Sequence, residues 1–185
     1  MRIKMTLIVI VLTLLTACAK TVDEEDLVIR VNTETAKKNY AEMAVVTNES
    51  ELKKDMGEIY RLALDAFMPL GDGLTNNMKY IAIDMSSLKD LPEEDREKVL
   101  QYFSKYDVDV MDNTLDQLEK EGRLKGARSL EGILLRVKDT EIIKKKIIIE
   151  GSLYKSAKGA IGTSVVVEYL NGKWQVTKAS VTWIS

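Results

Sequence analysis

The chain has 185 residues, of which 27 are Lys or Arg and 29 are Asp or Glu, giving a formal net charge of −2; 45% are hydrophobic and two are proline. These values describe a folded, mildly acidic protein, neither disordered nor collagen-like, and the near-balanced charge argues against nucleic acid, which calls for a basic face. Histidine is absent and Cys18 is the single cysteine, which excludes imidazole nucleophiles and bases, His-ligated or Cys-rich metal sites, and disulfides within the chain.

Arg2 and Lys4 give the chain a positive start, followed by the apolar run Met5 to Leu15. A bilayer span needs about 20 apolar residues, so this run has the length of a secretory signal instead. It ends in Leu15-Thr16-Ala17-Cys18, which resembles the lipobox of bacterial lipoproteins. The resemblance implies that the Cys18 thiol receives a diacylglycerol, that residues 1–17 are removed, and that Cys18 becomes the mature N-terminus. Two or more acyl chains, at roughly 0.8 kcal/mol per buried CH₂, hold a protein stably on a membrane. An ordinary signal peptide with an incidental cysteine, or a buried cysteine, is the alternative. Outside the cytoplasm a disulfide would be permitted, yet none can form, so the domain's core must suffice alone.

Residues 18–47 read as the lipidated N-terminus and a tether, with the run Asp23-Glu24-Glu25-Asp26 kept solvated. Within it, Leu27–Val31 reads as a short strand and Thr33–Val46 as a helix. From Asn48, which makes an approximate capping box with Glu51, a single domain is predicted to run to Ser185. Leu52, Met56, Ile59, Tyr60, Ala63, Ala66 and Phe67 recur at helical spacing until Pro69, and Gly71-Asp72-Gly73 reads as a turn. A strand follows over Met78–Met85. A second helix opens near Asp90–Pro92 with acidic residues at its positive end and carries Val99, Leu100, Phe103 and Tyr106. After a short segment around Val108 and Val110, Asp112 or Asn113 is expected to cap a third helix bearing Met111, Leu115 and Leu118, which Gly122 stops.

The remainder reads as four strands: Leu130–Val137, Lys144–Tyr154, Gly159–Leu170 and Lys173–Ile184. Asn171-Gly172 predicts a type I′ hairpin turn. In the last strand Trp174 and Val176 occupy even positions, whereas Ala179, Val181 and Trp183 occupy odd ones; a bulge near Thr177 or Lys178 would bring both sets to one face. The order predicts a two-layer α+β domain, with helices packed on one face of a curved, mainly antiparallel sheet. It resembles the cystatin-like cones, especially the nuclear transport factor 2-like family, over about Asn48–Ser185. That family includes enzymes and noncatalytic envelope modules, so the fold decides no function. The segments KYIAID, LPEED and VTWIS further resemble an uncharacterised group of lipoproteins of Gram-positive bacteria, which implies location rather than activity.

Without imidazole, carboxylates are the candidate catalysts. Asp65 and Asp84 could divide acid and base work if they shared a cavity; the commoner arrangement is a solvated helix face and a turn cap. Asp107, Asp109 and Asp112 lie close in sequence, but a calcium loop needs more oxygens, a glycine turn and a bidentate Glu. The Gly159/Gly162 pair lacks the ending of a phosphate loop and reads as relief of a turn or bulge. Lys144-Lys145-Lys146 beside Ile147-Ile148-Ile149 is read first as an edge charge run that suppresses aggregation, and second as attraction to anionic lipid. Ser87/Lys89 and Ser156/Lys158 are too ordinary to count. Tyr80, Tyr154, Tyr169, Trp174 and Trp183 fall on predicted strands, where aromatics are usually core or cross-strand pairs; Tyr80, Asp84 and Trp183 would be the markers of a pocket mouth.

The resulting expectation is a membrane-anchored extracytoplasmic lipoprotein acting as a noncatalytic binding or protein-interaction module. Its attachment is Cys18, and it calls for no cofactor, no metal and no catalytic residue. Its partners would be membrane lipid through Cys18, an envelope protein or peptide, and a second copy. The alternative is a small extracytoplasmic enzyme using carboxylate and Tyr chemistry in a cone-shaped pocket. A solute-binding transport component is disfavoured, because it needs two lobes around a cleft.

Overall fold

A computed structural model describes residues 52–185, within the compact unit Asn48–Ser185. The apolar run Met5–Leu15, Cys18, the elements predicted over 27–31 and 33–46, and the Asn48/Glu51 cap lie outside the described residues. Among those residues no helix is long and apolar enough to cross a membrane.

Helix α1 spans residues 52–70. Its apolar stripe follows the 3.6-residue period, so Ile59, Tyr60, Ala63, Leu64 and Phe67 face one way and are buried. Pro69 does not end it. The helix continues through Leu70, because a proline near the C-terminus costs only one backbone bond; Gly71 N–H then donates to Phe67 at 3.1 Å. The predicted turn at Gly71–Gly73 opens a short helical turn instead, α2 (Asp72–Thr75).

Strand β1 (Tyr80–Ile83) is buried at every position, helix α3 (Glu93–Phe103) follows Pro92, and strand β2 (Asp109–Asp112) comes next. Helix α4 (Leu115–Lys120) is capped by Thr114, not by Asp112 or Asn113. The Thr114 side chain accepts from Gln117 N–H while the Gln117 side chain accepts from Thr114 N–H, a reciprocal pair that satisfies two orphan donors. Asp112 is engaged elsewhere, accepting from Met85 N–H at 3.2 Å, and Asn113 donates to Glu121 at 2.8 Å.

Four long strands complete the chain: β3 (Ile133–Ile143), β4 (Lys146–Ser156), β5 (Gly159–Leu170) and β6 (Lys173–Ile184). β3 starts later than the predicted Leu130 and runs past the predicted Val137, and β4 is shifted by two residues from the predicted Lys144–Tyr154. Lys138–Glu141 stay in the strand because a half-covered sheet leaves polar side chains a wet face, and the turn falls at Lys144, whose φ is 56°. Asn171 and Gly172 have φ of 53° and 79°, the type I′ geometry.

The fold is α+β: helices followed by an open six-stranded sheet in the order β2-β1-β3-β4-β5-β6. β1 pairs in parallel with both β2 and β3, joined to β2 through α3, while β3 to β6 form an antiparallel meander. α1 and α3 cover one face over a core that includes Phe67, Phe103, Ile81, Leu135, Ile149, Leu153 and Val165. The helices do not all lie on that face. Tyr80, Ala82 and Leu134, the alternate residues of their strands, pack with Leu118 of α4 and Leu130 into a second core on the other side.

The predicted bulge in β6 is present, and a second one accompanies it. Val167 pairs with Val176 and Val166 with Lys178, leaving Thr177 extra; Thr163 pairs with Val181 and Gly162 with Trp183, leaving Thr182 extra. The first bulge puts Trp174, Val176, Ala179 and Val181 on the side of the main core. The second turns Trp183 to the opposite face, so the expectation that it shares their face is wrong. Its indole lies over Gly162, where a Cβ would collide with the ring.

Candidate functional site

The carboxylates considered as a catalytic pair are set apart by the sheet. Asp65 lies on α1, above the main core. Its carboxylate accepts from Tyr106 at 2.7 Å and Tyr102 at 3.0 Å, and Lys105 stands 2.7 Å away. Lys105 also donates to the Tyr102 hydroxyl at 2.8 Å, and the Arg61 guanidinium covers the Tyr102 ring at 4.5 Å. Burial and the adjacent Asp65 carboxylate push the Tyr106 hydroxyl well above the usual phenol range. For Lys105, burial opposes the charge, but hydrogen bonds to Asp65 and Tyr102 outweigh it and raise its pKa. This network joins α1 to α3. Tyr102, Lys105 and Tyr106 escaped the reading of the sequence as polar partners, although their three- and four-residue spacing puts them on one helical edge.

Asp84 follows β1 and is 6% exposed. It accepts from the Ser86 hydroxyl and pairs with Arg136 Nε at 3.3 Å. Arg136 alternates with Leu135 and Val137, which enter the main core, so Asp84 and Arg136 meet on the other face. Ser87 closes the corner: it donates to the Asp84 carbonyl at 2.6 Å and accepts from Val137 N–H at 3.2 Å. The arrangement fastens the end of β1 to β3.

The pocket markers are also dispersed. Tyr80 is covered by α4, with Arg123 5.1 Å from its ring centre, and burial raises its hydroxyl pKa. Trp183 lies on β6, four strands from β1 in the sheet order, or roughly 19 Å at the usual strand spacing. Tyr154 joins the second core and donates to the Arg128 carbonyl at 2.7 Å. Tyr169 and Trp174 make an edge-to-face pair at 5.2 Å, and Trp174 donates to Asp55 at 2.8 Å. These aromatics divide between the two faces; Tyr80, Tyr154, Tyr169 and Trp174 serve as packing, while Trp183 stays half exposed.

In the Asp107–Asp112 segment, Asp107 takes a left-handed conformation and Asp112 is held by Met85 N–H. Among the described residues, no group of three or more potential ligands is arranged to hold a metal ion. Gly159 begins β5 beside a β4 irregularity at Lys155, whose ammonium donates to the Leu74 and Asn76 carbonyls at 2.8 and 3.0 Å. There the α1–α2 corner, the β4–β5 turn and the end of β6 border an open pocket of about 230 Å³, lined by Leu70, Leu74, Lys158, Ile161 and Ile184 among others.

Beside this pocket the end of β6 leaves three apolar side chains accessible. β6 ends the row of described strands; on it Val181, Trp183 and Ile184 are 38%, 49% and 77% exposed. An edge strand offers unpaired backbone donors and acceptors, and exposed apolar side chains along it add contact area. No protein-family model, curated protein or solved structure matches the chain.

Proposed function

We propose that this chain is a lipid-anchored extracytoplasmic protein, held on the outer face of a bacterial cytoplasmic membrane through an acylated Cys18. Its body is a noncatalytic interaction module that takes an extended segment of an envelope protein on the β6 edge. The anchor reading comes from Leu15-Thr16-Ala17-Cys18. The observation that carries the module reading is the exposure of Val181 and Ile184 on one face and Trp183 on the other along a terminal strand, next to a pocket that can receive one apolar side chain. A strand added there would gain main-chain hydrogen bonds, with alternate side chains directed to the two faces. The engagement of Asp65 and Asp84 within separate structural networks supports the same reading.

Two measurements test it. Detergent phase partition of the expressed protein should place it in the detergent phase, with Cys18→Ala moving it to the aqueous phase; an unacylated wild-type chain would refute the anchor. A photo-crosslinking amino acid in place of Val181 in intact cells should give one discrete adduct that the same label in place of Ala127 does not. Equal adduct patterns from both positions would refute the β6 edge as the site.

A further inference from the structure

The geometry points to a membrane-seating surface at the end of the sheet where the β3–β4 and β5–β6 turns meet the start of α1. This rests on the proposed membrane location and specifies which part of the body faces the bilayer. The three segments are joined by contacts that only the fold creates. Tyr169 N–H donates to the Lys145 carbonyl at 2.9 Å, and the Lys145 ammonium lies 5.2 Å from the Tyr169 ring centre. Tyr169 packs on Trp174, and Trp174 reaches Asp55 in the first described turn of α1. Lys144, Lys145 and Lys146 are thereby gathered with Lys173 and with Lys53 and Lys54, and all six are exposed.

Three apolar side chains share this end. Ile142 and Ile143, beside the β3–β4 turn, are 51% and 46% exposed, and Leu170 on the neighbouring turn is 44% exposed. Among the described residues the acids at this end include Asp55, which accepts from Trp174, Glu168, which accepts from Thr177 and faces Lys146, and Glu141. The acidic start of α3 lies about one helical turn along α1 from Lys53 and Lys54, with Asp95 against Gly57 and Lys98 pairing with Glu94 and Asp95. Among the described residues none of the six lysines forms an ion pair.

Lysines around exposed isoleucines at a hairpin tip suit an anionic bilayer surface, where ammonium groups meet phosphates and short apolar side chains enter the interface. Aggregation control alone explains the Lys144–Lys146 run but not its gathering with Lys53, Lys54 and Lys173. The first described residue, 52, also lies at this end, on the Cys18 side of the sequence. Each lysine near such a surface strengthens binding about fivefold. The charges act through water and fade with added salt.

The test uses the full chain with a fluorescent amino acid in place of Ile143, reconstituted in vesicles. One set is phosphatidylcholine alone and the other contains phosphatidylglycerol; flotation reports attachment and intact mass reports acylation. The expected result is a blue shift and quenching by lipid-borne quenchers in the phosphatidylglycerol vesicles, reversed by high salt. Lys144→Gln with Lys145→Gln and Lys146→Gln should lower the seating equilibrium about a hundredfold, and Ile142→Ser should weaken it without changing its salt dependence. A label that stays in water on phosphatidylglycerol vesicles, or responds equally to both lipids, overturns the inference. So does a shift that follows protein concentration without vesicles, which would assign the tip to a second copy. An acylated protein with a wet tip leaves the anchor standing; an unacylated one with a seated tip refutes the anchor alone.

Discussion

The two halves of the sheet solve burial differently. In the half formed by β2, β1 and β3, parallel pairing and the α3 crossover bring helices to both faces, and all four residues of β1 are buried. In the half formed by β4, β5 and β6, α1 covers one face, and burial alternates until it fails along the second part of β6. Parallel strands need cover on both sides, whereas an antiparallel meander tolerates water on one. The exposed apolar side chains accordingly fall mostly in the open half, at Leu170 and along β6, with Ile142 and Ile143 at the far end of β3 as the exception.

The sharpest way to break this contrast is Ile81→Ala. Ile81 is fully buried in β1, and the variant should lose about 2–5 kcal/mol in urea unfolding. Next comes Asp84→Ala, which leaves Ser86 and Arg136 without their acceptor at a buried corner; a loss of about 1–3 kcal/mol is expected. If it costs nothing, the corner is not fastening β1.

Alkaline titration sharpens the role of the helical layer. Tyr106 resists ionisation in the folded protein because of burial and Asp65, while in the unfolded chain it ionises near its ordinary value of 10. The folded pKa is the higher one, so this contribution is complete below about pH 10 and declines as pH rises above it. Tyr60 and Tyr80 are raised in the same direction by burial. Urea midpoints should fall across this range, and Tyr106→Phe should make the fall shallower. The smallest effect belongs to Val181→Ser on the open edge, expected to change stability by about 0.5 kcal/mol or less. A cost comparable with Ile81→Ala would show that this edge is closed in solution.

Sequence periodicity was a good guide wherever burial follows a local repeat. The α1 stripe, the Asn171-Gly172 turn, the first β6 bulge and the four-strand meander were all legible in it. It was less reliable where a local signal had competitors. Asp112 or Asn113 was expected to cap α4, but Thr114 does so because Gln117 lies three residues on, while Asp112 is drawn to Met85. The second bulge, at Thr182, has no local signature, since either register leaves β6 an acceptable row of apolar residues.

By itself the amino-acid sequence determined the α+β class, the order of the elements and the exclusion of imidazole and disulfide chemistry, because each depends on residue type or short-range spacing. Only the tertiary structure decided that Asp65 and Asp84 occupy opposite sides of the sheet, that Trp183 parts from Val181, and that six lysines from three segments meet at one end. Those outcomes depend on strand order and register, which bring together residues as far apart as Lys53 and Lys173, and no local repeat encodes such a meeting.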